Sequence, residues 1–492
     1  MDEETPHLEA ERRAKLDRLR GRGVDPYPPN FPGRVESRAV VSRASQLSDG
    51  EETVEPNYRV AGRVRTVRTH GKTSFIDLED LSGSIQLLLR SDLLGERAYQ
   101  DWLADLDPGD IVGAEGTAAR SRRGEPSLLV RELTLLAKAI SPPPEKFHGL
   151  RDPEERIRRR YLDLLASAES RARFRLRFEL VRTMRRHFEE AGFFETETPV
   201  LIPVASGAAA QPFVTRSRYL DAELQLRIAL ELALKRLLVG GFERVFELGR
   251  CFRNEDLDST HSPEFTMLEA YWAYADYGDM RRLAEGLLDR LASTAIDLAP
   301  DSTPIREAAS RFRPPFPTLD FVEALEERSG IAGVAGLDTD SLRRHARSIG
   351  ATVPDDSPPG VFLDKLFEHY VEPTIDHVSF VVDHPVSTTP LAKRHRSKPG
   401  RVERFEIFYL GFELGNAYTE LNDPEEQERR FREQLGARGE ETYAYDADFV
   451  AALRFGMPPA TGIGIGVDRI AMALTGSASI KDVLLFPETR AR

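Results

Sequence analysis

The sequence predicts an α+β protein: an N-terminal OB-type β-barrel, followed by a larger domain whose antiparallel sheet is flanked by helices. Three observations carry this. Between residues 58 and 139, short alternating apolar and polar runs are cut by turn pairs such as Gly71-Lys72 and Ser82-Gly83. The run Ser141-Pro142-Pro143-Pro144 then interrupts all periodicity. Beyond it, helical spacing alternates with strands too irregularly placed for βαβ units.

The elements follow in order. At 492 residues the chain exceeds one ordinary hydrophobic core, so two or three domains are expected. Residues 1–57 form an extension with an amphipathic stretch from Leu8 to Leu19, stopped by Gly21 and Gly23. Pro26, Pro28, Pro29 and Pro32 then block helix and sheet alike. Residues 58–140 form the barrel, with Val60, Val64, Ile76, Leu78, Ile85, Leu87 and Leu89 at strand spacing. Residues 141–165 form a linker. In 166–492, Phe174, Phe178, Val181, Met184 and Phe188 recur at helical spacing up to the stop at Gly192. A second helix fits Ala229–Val239, and a helical insertion covers about 280–375. Strands return at Val378–Val382, Phe405–Phe408, Leu414–Leu421 and Gly462–Ile465.

Composition narrows the class. Hydrophobic content of 40% and charged content of 30% fit a soluble globular protein, and no apolar run reaches membrane-span length. The acidic start, Met1-Asp2-Glu3-Glu4, lacks the apolar core of a signal peptide. The single cysteine, Cys251, excludes an internal disulfide and a cysteine zinc site, so the expected compartment is the cytoplasm. Cys251 itself reads as a small buried filler. A net charge of −13 argues against indiscriminate nucleic-acid binding but leaves room for local basic faces, such as Arg63, Arg65, Arg68, His70 and Lys72.

The chemistry lies in five groups of residues. Phe265, Met267, Glu269 and Tyr271 share one strand parity, which makes either a pocket wall or a buried Phe and Tyr with Glu269 at the edge. Asn416, Tyr418 and Glu420 share another; a buried Glu420 needs a cation, and a solvent-facing one does not. Glu406 and Glu413 flank Tyr409-Leu410-Gly411. In a tight hairpin they would lie opposite each other, repel, and favour a bridging Mg²⁺; otherwise both are exposed. Gly462, Gly464 and Gly466 leave one strand face bare for close approach by a flat group, with Arg469 in the next helical turn. Arg253, with Glu255, His261 and Phe265, offers a bidentate donor beside an aromatic face. With no Ser-His-Asp set, no His/Cys metal spacing and no Walker A sequence, catalysis is expected to rest on positioning and charge.

These fragments resemble the class IIb lysyl-tRNA synthetases over nearly the whole chain. Phe193-Phe194-Glu195-Thr196-Glu197-Thr198-Pro199 is similar to motif 1. The stretches around Phe246–Glu255 and His261–Glu269 resemble motif 2, and Gly462–Arg469 resembles motif 3. Thr419-Glu420-Leu421-Asn422-Asp423 is the fragment that points to lysine. The resemblance implies ATP-dependent activation of L-lysine to lysyl-adenylate, transfer to tRNA(Lys), Mg²⁺ as cofactor and a homodimer through motif 1.

Site roles follow by the same resemblance. Arg253 and Arg469 would be catalytic. Arg253, Glu255, His261, Phe265 and Arg469 would bind ATP, with Phe265 and Arg469 sandwiching adenine. Gly207 and Glu231 would receive the α-amino group, while Glu269, Tyr271, Asn416, Tyr418 and Glu420 would form the lysine pocket. Glu406 and Glu413 would bind Mg²⁺. Arg68, Phe75, Gln86 and Glu132 would read the anticodon. Ser206, Gln211, Leu230, Thr260 and Phe412 depart from the family pattern, which keeps two alternatives in view: a diverged paralogue with a non-tRNA acceptor, and a non-catalytic tRNA-binding protein.

Overall fold

The computed structural model describes residues 4–144, 152–208, 210–255, 258–435 and 445–489. Met1–Glu3 of the acidic start, and 145–151 inside the expected linker, lie outside the described residues. The chain divides into two compact units, Met1–Leu150 and Arg151–Arg492.

In the first unit, β1 (Glu52–His70), β2 (Thr73–Asp80), β3 (Gly83–Arg90), β4 (Ile111–Arg120) and β5 (Pro126–Ala137) close into a barrel of order β1-β2-β3-β5-β4. The first strand starts at Glu52, ahead of the expected 58. Alternation sorts the residues as the sequence requires: Val60, Val64, Ile76, Leu78, Ile85, Leu87 and Leu89 fill the interior. On the outer face Arg68 stands opposite Phe75, and Asp77 opposite Gln86, which in turn faces Ser127. The helix Glu4–Gly21 packs onto this barrel through buried Leu16 and Leu19. Arg12 donates to the carbonyls of Pro108 and Ala139, and Arg18 donates to Asp105. The extension is therefore part of the barrel unit.

The second unit holds β6 (Phe194–Glu195), β7 (Leu201–Ile202), β8 (Val214–Ser217), β9 (Ala222–Leu226), β10 (Arg244–Phe252), β11 (Glu264–Ala273), β12 (Thr318–Asp320), β13 (Ser379–Val382), β14 (Arg404–Tyr409), β15 (Phe412–Thr419) and β16 (Ala460–Gly466). Its main sheet has eight strands in the order β12-β13-β14-β15-β16-β11-β10-β6. All neighbours are antiparallel except β12/β13 and β10/β6. Strands β7, β9 and β8 make a separate small sheet. Five helices between 277 and 370 occupy the stretch expected as a helical insertion.

One face of the large sheet is apolar. Leu268, Ala270, Ile463, Ile465, Phe405 and Ile407 pack there against Leu180, Met184 and Phe188 of the helix Ala168–Glu190 and Leu287 and Leu291 of the helix Tyr277–Leu298. Because strand side chains alternate, sending these residues to the core forces their neighbours to the opposite face. That face carries the site.

Candidate active site

Three strands make the floor. In register, Gly462 lies between Tyr271 and Tyr418, and Gly464 between Glu269 and Asn416. The glycine strand β16 is thus the bare centre, with polar and aromatic rows rising from β11 and β15. A cleft of about 450 Å³ stands on it. Gly207, Glu231, Arg253, Glu255, His261, Phe265, Glu269, Tyr271, Glu413, Asn416, Tyr418 and Arg469 all line this cleft. Residues as distant in the chain as Gly207 and Arg469, 262 positions apart, meet there because β16 inserts between β15 and β11.

At one end the groups are basic. Asp468 accepts from the backbone N–H of Thr266 at 2.7 Å and pairs with Arg177 at 2.6 Å, which pins the helix Val467–Thr475 to β11 and aims Arg469 into the cleft. Arg469 donates to the Glu413 carbonyl at 2.8 Å, and its other nitrogen lies 3.1 Å from His261 Nε2. His261 is held from behind by Asp258, whose carboxylate lies 2.8 Å from Nδ1. The Arg253 guanidinium sits 5.1 Å from the centre of the Phe265 ring. Its Nε is buried without a hydrogen-bond partner, so a donor is left for a ligand.

At the other end the groups are acidic. Glu231 opens the helix Glu231–Val239 and accepts from the Tyr418 hydroxyl. Glu269 accepts from the Leu230 N–H and the Tyr271 hydroxyl, both at 2.9 Å. Glu420 is 1% exposed and does not itself line the cleft, but it stands beside the bare face of Gly462: a Cβ added there would meet both its Oε1 and the Tyr271 ring. Tyr271 and Glu420 thus face one compartment. The Lys235 ammonium lies against Glu420 Oε2, while Oε1 is buried without a hydrogen-bond partner. Burial, with Glu231 next, raises Glu269 to about 7; burial and the neighbouring carboxylates Glu231 and Glu269 raise Glu420 to about 8, against the pull of Lys235.

The expected face-to-face pairing of Glu406 with Glu413 does not form. The turn sits at Leu410-Gly411, both with positive φ, and pairs Glu413 with Phe408. A register shift between Ile407 and Phe408 then sets Glu406 opposite Asn416. The two carboxylates lie on a diagonal of one strand pair. Glu406 is committed to Arg404 and to His384, the latter at 3.1 Å. Burial and the charge of Glu406 together raise Glu413, and burial with Glu368, Glu406 and Glu413 raises Glu372 to about 8. Crowded carboxylate oxygens of this kind suit a hard cation that shares its shell with phosphate oxygens. Among the described residues no group of three or more His, Cys, Asp or Glu is arranged to hold an ion unaided. Glu406 and Glu413 fit Mg²⁺ in that restricted sense.

In the barrel, Arg68 donates to Asp77 at 2.7 Å, Phe75 is half-buried beside the Leu88 and Leu129 patch, and Gln86 accepts from Ser127 at 3.1 Å. All three share the outer face. Glu132 is exposed and stands opposite Glu115 beyond a register shift.

Comparison with known proteins decides the relationship. A family described as "tRNA synthetases class II (D, K and N)" matches residues 152–490, and an OB-fold nucleic acid binding domain matches 58–136. A lysine--tRNA ligase of Roseiflexus castenholzii is 46% identical, aligned over 99% of this chain and 100% of its own. Lysine--tRNA ligases of Chloroflexus aurantiacus and Moorella thermoacetica are 45% and 44% identical, each covering at least 98% of both chains. The chain belongs to the class II lysyl-tRNA synthetase family.

In this synthetase four residues around the site give little or no signal in the sequence. Lys235 was hidden among leucines, although the i,i+4 spacing from Glu231 was visible. Asp258 showed only as one polar residue in a polar loop. Arg404 and His384 gave no signal, because their link to Glu406 crosses strands.

The raised carboxyls give this synthetase a pH signature. Below about pH 7, Glu269 and Glu420 are protonated in the free enzyme, whereas ammonium ligands favour the ionised forms. Lysine affinity is therefore expected to rise with pH up to about 8, by roughly tenfold per pH unit for each proton displaced. Calorimetry at pH 7 in buffers of different ionisation enthalpy should register proton release on lysine binding. Binding that is flat from pH 6 to 8 would contradict it.

Proposed function

We propose that this synthetase couples L-lysine to ATP and then charges tRNA(Lys). A lysine carboxylate oxygen attacks the α-phosphorus, the bond to the bridging oxygen of the β-phosphate breaks, and pyrophosphate leaves. The terminal ribose hydroxyl of the tRNA then takes the lysyl group, releasing AMP.

The charge of the acidic end carries this reading. Glu231, Glu269 and Glu420 contribute three carboxylates around one internal cation, Lys235. Two positive charges are missing, and lysine has two ammonium groups. Its carboxylate is then directed along the cleft to Arg253, beside the α-phosphate. The Arg253 guanidinium holds both oxyanions in line, a task that needs positioning rather than a nucleophile. Phe265 and Arg469 bracket the adenine, while Glu255 and His261 contact the nucleotide. Gly207 has φ +94 and only 3.3 Å between an added Cβ and Glu231, which keeps the α-amino route open. Glu406 and Glu413 would hold Mg²⁺, which when bound would neutralise phosphate charge.

The test is ATP–pyrophosphate exchange with each amino acid in turn, followed by charging of bulk tRNA. Exchange strictly dependent on lysine, with acylation of tRNA(Lys), is expected. Exchange without acylation would instead fit a paralogue with another acceptor, and tRNA binding without exchange a non-catalytic protein.

Anticodon reading rests on Phe75, Arg68 and Gln86, where an aromatic face and two edge donors share one side of the barrel. Loss of one base stack costs about 1–3 kcal/mol, so Phe75→Ala should raise KM for tRNA by about ten- to a hundredfold, measured in the charging assay. An unchanged KM would remove Phe75 from the interface. Glu132 is assigned a peripheral part in the same reading. The homodimer through the motif 1 segment belongs to this reading too, supported by exposed Phe194, Val200, Leu201 and Phe242 around it. No helix among the described residues is long and apolar enough to cross a membrane, in keeping with a cytoplasmic place of work.

A further inference from the structure

We propose that Lys235 is a built-in counter-cation that sets the charge of the amino-acid pocket to match a substrate carrying two ammonium groups. This rests on the lysine reading above and adds to it a positioning residue that does not itself touch the substrate.

The argument begins with cost. A lysine is among the residues least often buried, and an unpaired buried ammonium loses its proton or destabilises the fold. Lys235 is 0% exposed, on the buried face of the helix Glu231–Val239. Its ammonium pairs with Glu231 one turn earlier and with Glu420 beyond the end of β15. The rings of Tyr418, Phe449 and Tyr271 stand 5.4, 5.8 and 6.0 Å away. Burial acts to strip the proton, but the two carboxylates outweigh it, and Lys235 is held above its ordinary range. The charged form is the resident one.

Its position decides its role. Glu231 and Glu420 are the two carboxylates assigned to the α-amino and ε-ammonium ends of the substrate, and Lys235 bridges them from behind. The titratable groups facing it are Glu231 on its own helix, Glu420 and Tyr418 from the β15 side, and Tyr271 with Glu269 on β11. Without Lys235 this set carries three buried carboxylates against the substrate's two ammonium groups, and one must take up a proton. With Lys235 the charges match. The ammonium also fixes the spacing of Glu231 and Glu420, which otherwise repel.

The experiment is lysine-dependent pyrophosphate exchange by the full-length enzyme and its Lys235→Met variant between pH 6 and 9. The variant should show KM for lysine raised by at least about tenfold, KM for ATP changed less than about threefold, and the pH dependence of lysine KM displaced to higher pH by about one unit. A merely structural lysine would lower the melting temperature and the amount of active enzyme without moving that profile. A folded variant with wild-type lysine KM and profile would overturn the proposal. If Lys235→Met does not fold, the ¹⁵Nζ resonance of Lys235 in the wild type decides: a protonated ammonium through pH 9, with and without lysine, supports the assignment, and a neutral amine at pH 7 overturns it. Absence of lysine-dependent exchange in the wild type would instead defeat the lysine reading itself, so the two failures are distinct.

Discussion

Glu420→Gln is expected to cost lysine about 10⁴ in kcat/KM while KM for ATP stays within about threefold. A site built around a polar end discriminates on that scale once the buried partner is lost. The geometry explains why the loss falls on one substrate. Glu420 lies behind the bare face of Gly462 and beside Tyr271, on the acidic side, whereas Arg253, His261 and Arg469 line the other half of the cleft. Glutamine keeps the shape but not the charge, so the ε-ammonium would be desolvated against a neutral amide. The contrast should be greatest above pH 8, where Glu420 in the parent is ionised, and should shrink toward pH 6, where both proteins present a neutral group. Exchange kinetics at pH 6.5 and 8.5, with lysine and ATP varied separately, would show this. Equal losses for lysine and ATP would remove Glu420 from the amino-acid pocket.

Arg253→Lys is expected to lower the exchange kcat by about 10²–10³, the scale for removing a preorganised donor from a developing oxyanion. Charge survives in this variant, but the planar fork proposed to span carboxylate and α-phosphate does not. Stability should barely change. The Arg253 Nε has no partner to leave stranded, and the contact with the Phe265 ring survives with an ammonium in place of guanidinium. Single-turnover formation of the adenylate, read beside thermal melting, separates the two effects. An adenylate rate equal to that of the parent would show that Arg253 only binds.

Much of this site was legible from strand parity. Phe265, Met267, Glu269 and Tyr271, and likewise Asn416 and Tyr418, reach the cleft because their alternate neighbours are the apolar ones. The glycines of β16 were legible for the same reason. Parity says nothing about register, however. The pairing of Glu406 with Asn416 depends on a turn at Leu410-Gly411 and a shift beyond Phe408, each set by the packing of β14 against β13 and β15. The closed barrel followed from its interior residues, but the helix Glu4–Gly21 was placed on it by Arg12, Arg18 and their long-range acceptors.

By itself, the sequence determined which residues share a face, which segments are helical, and the chemical types available for a nucleotide and a cationic amino acid. These depend on local periodicity, which the order of residues fixes directly. Only the tertiary structure decided that Lys235 is spent inside the protein, between Glu231 and Glu420. It also decided that Glu406 is already held by Arg404 and His384. Charge compensation in a dry interior depends on distances across strands and helices that no local pattern encodes, and the same carboxylate in water would need no partner at all.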